Sequence, residues 1–203
     1  MFGLYIHVPF CATRCGYCDF NTYTPGELGG AGHNVSGYLD ALDRELDIAA
    51  QKVRTPAQTV FVGGGTPSLL GAAGLSRILT TVRNTFGLAP GAEVTTESNP
   101  ESTSPDYFAG IREAGFNRVS LGMQSAAPHV LQVLERAHTP GRAFAAAREA
   151  QDAGFEHVNL DMIYATPTET DEDLAQTVEK VIETGVDHVS AYSLIVERGT
   201  RMY

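Results

Sequence analysis

The chain has 203 residues with a formal net charge of −10, and 43% of its residues are apolar. This length suits one substantial hydrophobic core, and the composition is that of an ordinary globular α/β protein. The negative charge disfavours nucleic acid as a partner, because backbone phosphates would be repelled by most of the surface. Apolar runs fall well short of the roughly 18 residues of a membrane span, and no targeting pattern follows Met1, so we expect a cytoplasmic protein.

Short apolar or β-branched runs alternate with stretches of helical periodicity along the chain. Six strands are predicted, at residues 4–8, 59–62, 93–96, 118–121, 157–162 and 188–194. Three apolar stripes predict helices that cover a sheet. These stripes are Leu39, Leu42 and Leu46; Leu75, Ile78, Leu79 and Val82; and Leu174, Val178, Val181 and Ile182. Residues 25–34 are rich in glycine and predict a surface loop.

Two kinds of local sequence signal predict where the helices begin and end. Ser104-Pro105 predicts a capped helix start, and Thr139-Pro140 predicts another, for a helix that runs to about residue 153. A glycine at 115, 154 and 185 each time precedes a strand by two or three residues, as a left-handed helix end would. This threefold repeat favours successive βα units with parallel strands.

The arrangement predicts a partial (β/α)6 TIM-like open barrel that stops after the sixth strand. Polar residues at the carboxyl ends of the strands are then site candidates by position. A flat, doubly wound sheet is the alternative. Because the outer side of the sixth strand would lack a following helix, we expect a weakly stable or oligomerising core, such as a homodimer.

All three cysteines of the chain, Cys11, Cys15 and Cys18, lie directly after the first predicted strand. Three thiolates in one short loop can hold three corners of a [4Fe-4S] cluster and leave the fourth iron open to a small molecule. The alternative is a zinc site in which His7 supplies the fourth ligand. An odd number of cysteines argues against a disulfide framework.

Further polar residues follow the other predicted strands. A Gly-Gly-Gly-Thr-Pro run at 63–67 exposes main chain that a ligand could approach closely. Glu97, Gln124 and Asp161 end later strands, and a buried carboxylate there needs a partner. Arg136 is either that partner, a solvated helix-end charge, or a clamp for a ligand carboxylate. A tight turn and helix caps would explain the same residues structurally.

Taken together, these motifs resemble the radical S-adenosylmethionine (SAM) superfamily over nearly the whole chain. Tyr5-x-His7-x-Pro9, Gly122-x-Gln124-Ser125 and Asp161-x-Ile163-Tyr164 are similar to motifs of the oxygen-independent coproporphyrinogen oxidase group. The resemblance implies that Cys11, Cys15 and Cys18 hold a [4Fe-4S] cluster. It also implies a SAM site formed by Tyr5, Tyr17, Gly64, Gly65, Thr66, Glu97, Gln124, Arg136 and Asp161, with the segment around Leu194-Ile195 completing the pocket.

In that resemblance each residue has an implied role. Residues 64–66 meet the SAM ammonium, Arg136 meets its carboxylate, and Glu97, Gln124 and Asp161 meet the ribose or the sulfonium region. The dehydrogenases of the group carry a fourth cysteine where this chain has Phe20. Phe20 is instead typical of the related haem chaperone family HemW.

The resemblance therefore implies a haem chaperone that binds a cluster and SAM and delivers haem to haemoproteins. The alternative is an oxygen-independent coproporphyrinogen III dehydrogenase, and whether the chain acts as an enzyme is left open. Residues 1–203 correspond to the radical SAM core domain alone, since the family continues into a C-terminal domain.

Overall fold

The structure, a computed structural model, describes residues 2–27, 34–53, 55–136 and 138–203. Part of the predicted glycine-rich loop, residues 28–33, therefore lies outside the described residues. The six strands are β1 (Gly3–Val8), β2 (Ala57–Gly64), β3 (Leu88–Ser98), β4 (Arg118–Gln124), β5 (His157–Tyr164) and β6 (His188–Ser193). The α-helices are α1 (Val35–Ala50), α2 (Gly71–Thr85), α3 (Pro105–Ala114), α4 (Pro128–Val133), α5 (Arg142–Asp152) and α6 (Asp171–Thr184). Short 3-10 turns occupy Pro67–Leu70 and Pro100–Ser102.

The strands form one sheet in the order β1-β2-β3-β4-β5-β6, and every neighbouring pair is parallel. A doubly wound sheet would reverse its strand order, so this alternative is wrong. Right-handed crossovers between successive parallel strands place the connecting helices on one side of the sheet. The α/β open-barrel prediction, a truncated (β/α)6 core, is confirmed.

Most helix ends lie where the cap and glycine signals predict them. Ser104 caps α3 by accepting from the Tyr107 amide at 3.2 Å, with Pro105 at the first helical position. The repeated glycines at 115, 154 and 185 have φ angles of 110°, 83° and 69°, as predicted for left-handed helix ends. At these angles a residue with a side chain would be strained.

The second predicted helix start is wrong. The helix begins at Arg142, after a left-handed Gly141, and not at Thr139-Pro140. Thr139 instead donates from its amide and its hydroxyl to Glu101, at 2.6 and 3.1 Å. These bonds hold residues 138–140 in a connection between α4 and α5. Helix α4 itself, only six residues long, was not predicted.

The main core lies between the sheet and the helices. Alternate strand residues supply one side of it, among them Val60, Val94, Val119 and Leu160. The predicted α1 and α2 stripes are buried against this core. A second, smaller cluster consists of Ala127, Val130, Leu134 and Ile163, with Tyr17, Leu194 and Met202 packed against it. We call it the small cluster.

The predicted α6 stripe is only partly correct. Val181 is buried, whereas Val178 is 40% exposed and Ile182 is 72% exposed. The inward face of α6 is instead completed by Thr177 and Thr184. Strand β6 is also exposed along most of its length, since it forms the edge of the sheet. Among the described helices, none has both the length and the apolar character needed to cross a membrane.

Candidate functional site

The cysteine loop begins where β1 ends and is tied back to it by main-chain bonds. The Cys11 amide donates to the Tyr23 carbonyl at 3.0 Å, and Tyr23 donates to Pro9 at 2.8 Å. Within the loop, the Cys18 amide donates to the Cys15 carbonyl at 3.3 Å. Burial raises the pKa of Cys18, and the neighbouring Cys15 and Cys11 raise it further. Main-chain bonds therefore fix both ends of the short segment that carries the three thiols.

His7 is not available as a fourth ligand. Its Nε2 lies 2.8 Å from the Asn21 carbonyl oxygen, which can only accept, so Nε2 carries a proton. Its Nδ1 then accepts from the Tyr5 hydroxyl at 3.0 Å. Both ring nitrogens are engaged, which argues against the zinc alternative.

In the described part of the chain, no three His, Cys, Asp or Glu side chains form a group that could hold a metal ion as they stand. A single zinc ion needs its ligands to converge on one point. In a [4Fe-4S] cluster each thiolate binds a different iron atom, so the three sulfurs need not converge. The donor set of one thiol-only loop suits the cluster better than zinc.

The glycine-rich bend after β2 lies against this loop. The Gly65 amide donates to Val8, and the Thr66 amide donates to Phe10, both at 2.7 Å. The Thr66 hydroxyl faces the Cys11 sulfur at 3.8 Å. These amides already have protein acceptors, and an ammonium group, which can only donate, would bond to oxygen atoms of the bend.

Close approach explains why glycine is needed in this bend. Gly64 has a φ of 112°, and a Cβ there would lie 2.6 Å from the His7 ring. A Cβ at Gly65 would lie 2.5 Å from the Phe10 carbonyl oxygen. A side chain at either position would push the bend away from the cysteine loop.

Arg136 connects the cysteine loop to β4. Its Nη1 donates to the Cys15 sulfur at 3.2 Å, its Nη2 to the Gly122 carbonyl at 3.0 Å, and its Nε to His138 at 3.1 Å. Burial, followed by the Arg136 charge, lowers the pKa of His138 to about 4, so this ring is a neutral acceptor. Burial alone would lower the pKa of Arg136, but Cys15, Tyr17 and Asp161 raise it overall. The guanidinium thus stays charged beside a thiol.

Glu97 reaches across from β3 to the glycine-rich bend. Its Oε2 accepts from the Gly64 amide at 2.9 Å. Burial raises the pKa of Glu97 to about 7, and the charge of Asp161 adds to this while the Gly64 bond opposes it. Arg136 does not bond this carboxylate. A group that prefers to be neutral near physiological pH is a candidate for ligand binding.

Asp161 sits in a polar network inside the open barrel. The Ser120 hydroxyl lies 3.0 Å from both of its carboxylate oxygens, and Asn159 Nδ2 donates to Oδ1 at 2.7 Å. Burial raises the pKa of Asp161, although the bonds from Ser120, Ser190 and Asn159 oppose this. Asn159 Oδ1 is buried with no hydrogen-bond partner among the described residues. An orphaned acceptor in a polar interior suits a ligand that offers donors, such as a ribose diol.

The remaining predicted residues surround the same opening. Gln124 ends β4 with a φ of 71°, unusual for a residue with a side chain, after a register shift in the β4–β5 pairing. The Tyr5 ring stacks on Phe61 at 6.0 Å. Burial, then the charge of Glu97, raises the pKa of Tyr5. Burial raises the pKa of Tyr17 most, and Cys15 contributes to this increase.

The two residues of the predicted pocket segment, Leu194 and Ile195, lie in different environments. Leu194 packs against the small cluster with Tyr17, whereas Ile195 is 66% exposed. The structure therefore brings the cysteine loop, the glycine-rich bend, Glu97, Arg136 and Asp161 to one end of the barrel. Which of them contact SAM stays a prediction.

Sequence reasoning missed several residues that organise this site. Ser120 and Asn159 complete the Asp161 network, and His138 accepts from Arg136. The alternation of polar and apolar residues along β4 and β5 could have identified Ser120 and Asn159 as residues of the inner face. No comparable signal marks His138, because its role depends on a turn after α4.

The protein-family model described as the Radical SAM superfamily matches residues 5–181. The chain is 61% identical over 202 residues to "Heme chaperone HemW" of Mycobacterium tuberculosis, covering 99% of this chain and 51% of that protein. It is 37% identical over 199 residues to "Heme chaperone HemW" of Escherichia coli, covering 98% and 52%. The chain thus spans about half the length of these curated relatives.

Solved structures show the same relationship. The structure of coproporphyrinogen III oxidase (HemN) from Escherichia coli, described as a radical SAM enzyme, superposes with a TM-score of 0.87 and 31% identity. The match covers 96% of this chain and 44% of that one. The resemblance stated from the motifs is confirmed, and the chain belongs to the radical SAM superfamily.

Proposed function

We propose that this chain is the cluster- and SAM-binding core of a haem chaperone. The observation that carries the proposal is that the three-cysteine loop lies against the glycine-rich bend, with Arg136 bonded to Cys15, at one end of the barrel. Cys11, Cys15 and Cys18 would hold a [4Fe-4S] cluster and leave one iron for SAM. When bound and reduced, such a cluster supplies an electron to the sulfonium of SAM.

The chain's own residues would bind and orient SAM. Carbonyls of the bend at 64–66 accept from its ammonium, while the Arg136 guanidinium has N–H groups to spare for its carboxylate. Glu97, Gln124 and Asp161 bind the ribose and the sulfonium region, and Tyr5 and Tyr17 line the pocket. The neutral form of Glu97, favoured by burial, can donate as well as accept.

Similarity to the HemW proteins supports haem and acceptor haemoproteins as the partners. Phe20, which is 60% exposed beside the cysteine loop, occupies the place of the fourth cysteine expected in the dehydrogenases. Residues 1–203 act as one radical SAM core domain in this proposal, in a cytoplasmic protein, and a homodimer remains a prediction.

Anaerobic reconstitution with iron and sulfide tests the cluster. We expect visible charge-transfer absorbance and about four irons per chain. Cys11→Ala, Cys15→Ala or Cys18→Ala should each abolish stable cluster uptake. A colourless wild-type chain after reconstitution would contradict the proposal.

The similarity to coproporphyrinogen III oxidase supports a second candidate, oxidative decarboxylation of coproporphyrinogen III. Anaerobic incubation of the reconstituted chain with that substrate, SAM and a reductant separates the two. Stoichiometric haem binding without conversion supports the chaperone, whereas protoporphyrinogen formation supports the dehydrogenase. The same experiment measures whether SAM is cleaved in either case.

A further inference from the structure

The segment that follows β6 lies against the cysteine loop. We call residues 197–203 the strap. It forms a turn of its own, in which the Thr200 hydroxyl donates to the Glu197 carbonyl at 2.7 Å. Beyond this turn Arg201 of the strap reaches Arg14, in the loop between Cys11 and Cys18 and 187 residues earlier in the chain.

Two main-chain oxygens of the loop accept hydrogen bonds from the strap. The Met202 amide donates to the Gly16 carbonyl at 2.9 Å. Arg201 Nη2 donates to the Arg14 carbonyl at 2.5 Å. Both acceptors are immediate neighbours of Cys15. The Met202 side chain also packs against the small cluster, which Tyr17 covers from the loop side.

The end of α4 holds the same stretch of loop. The Gly16 amide donates to the Leu134 carbonyl at 3.2 Å. Glu135, with a left-handed φ of 52°, turns its carboxylate over Gly16. A Cβ at Gly16 would lie 3.1 Å from Glu135 Cδ, so glycine lets this carboxylate cross the loop.

Arg201 bonds both the residues after α4 and the cysteine loop. Its Nε donates to Glu135 Oε2 at 2.9 Å, and the two side chains form a salt bridge through Nη2 as well. The Arg201 guanidinium therefore bonds a carboxylate from the residues just after α4 and a carbonyl from the cysteine loop at the same time. Gly16 is held at its amide by α4 and at its carbonyl by the strap.

We propose that Arg201 and Glu135 are positioning residues that latch the cysteine loop in its cluster-binding geometry. The inference rests on the proposed function for the identity of the bound group, but the latch itself can be tested without a bound group. Neither residue has a hydrogen bond to a thiol in the described part of the chain, although the charge of Cys15 acts on Arg201. They act through Arg14, Gly16 and the small cluster, which fix the main chain on both sides of Cys15.

Arg201→Ala tests the latch, and Arg201→Lys tests its geometry, because lysine keeps the charge without the planar fork. The matched control is Arg198→Ala, whose guanidinium lies 5.8 Å from the Tyr203 ring centroid in the same strap. Glu135→Gln removes the charge of the other partner but keeps an acceptor oxygen. Thermal melting of each variant checks that the chain is folded.

The first readout is hydrogen exchange of the loop peptide in the cluster-free chain. The second is the rate at which a chelator removes iron after anaerobic reconstitution. The Arg201–Glu135 pair is about half exposed on each side, so the expected effect is moderate. We expect both rates to rise roughly three- to tenfold in Arg201→Ala, less in Arg201→Lys, and to stay unchanged in Arg198→Ala.

The outcomes separate the latch from the proposed function. If loop exchange in Arg201→Ala equals that of the wild type, the latch is wrong whether or not iron binds. If exchange accelerates but iron loss does not, the claim that the latch serves cluster retention is overturned. If the wild type takes up no iron, the proposed function fails, and the exchange experiment still decides the latch.

Discussion

Strand β3 shows how differently the two faces of the sheet are built. Val94, Thr96 and Ser98 face the helices, where Val94 joins the main core and Ser98 bonds the Tyr107 hydroxyl at 2.9 Å. Glu97 faces the barrel interior, toward Gly64 and the charge of Asp161. The same alternation runs through β4 and β5, where Leu121 and Leu160 face helices while Ser120 and Asp161 face inward.

The difference separates stability from binding. Apolar burial on the helix side stabilises the fold. On the inner side, buried carboxylates with raised pKa values and the Asn159 oxygen that lacks a partner among the described residues lower the free energy of unfolding. A ligand that bonds these groups would recover that free energy on binding. The variants below compare how the two faces contribute to the free energy of unfolding.

The largest expected effect lies on the helix side. Phe108 in α3 is fully buried and forms an edge contact with Phe155 at 6.1 Å. Phe108→Ala should lower the free energy of unfolding by about 3–5 kcal/mol, because it removes buried area and leaves a cavity. Urea denaturation gives this value. The control Phe20→Ala, at a position 60% exposed, should change it by less than about 0.5 kcal/mol.

On the inner side, Glu97→Gln should raise the free energy of unfolding, whereas Phe108→Ala lowers it. Burial raises the pKa of Glu97 from 4.5 to about 7, so the folded chain binds this proton more tightly than the unfolded chain. Stability from this group therefore falls as pH rises from about 4.5 to about 7. At pH 8 the variant should be more stable by about 3 kcal/mol, with no gain near pH 4.

Denaturation of both proteins across this pH range isolates the Glu97 contribution, since other titrating groups are shared. An equal difference in stability at pH 4 and pH 8 would contradict the assigned cause. Glu113→Gln, at an exposed site in α3, is a suitable control.

Ser120→Ala removes a bonding partner from the Asp161 network. Its hydroxyl donates to Asp161 and accepts from Asn159 Nδ2 at 2.6 Å, so two buried polar groups lose a partner. We expect a loss of about 1–2 kcal/mol in the free energy of unfolding at pH 7. Ser36→Ala, at an exposed site in α1, should have little effect. Equal losses in the two variants would mean that the network contributes nothing specific.

The smallest effect on the free energy of unfolding is expected at Ile182 in α6, next to Val181, where the effect should be larger. Ile182 is 72% exposed although it belongs to the predicted apolar stripe, whereas Val181 is 4% exposed. Ile182→Ala should change the free energy of unfolding by less than about 0.5 kcal/mol, and Val181→Ala should lower it by about 1–3 kcal/mol. A large loss for Ile182→Ala would indicate that a second copy covers this face, which sedimentation would then detect.

Much of the fold and of the candidate site could be predicted from local pattern. Strand positions, the repeated glycines and the cap of α3 follow from the periodicity, the conformational freedom of glycine and hydrogen bonding within a few residues. The cysteine spacing and the polar strand ends likewise identified the candidate residues, because parallel strands end at one edge. What could not be predicted is pairing between distant segments, such as Arg136 with Cys15 or Glu101 with Thr139.

By itself, the amino-acid sequence determined a parallel α/β sheet, three thiols in one loop and the set of polar residues near them. Only the tertiary structure decided that His7 bonds Tyr5 and Asn21, that Arg136 turns to a thiol, and that Arg201 reaches the loop. The physical reason is that periodicity and turn chemistry act over a few residues. A side chain's partner, in contrast, depends on which distant segments the packed core brings within hydrogen-bonding distance.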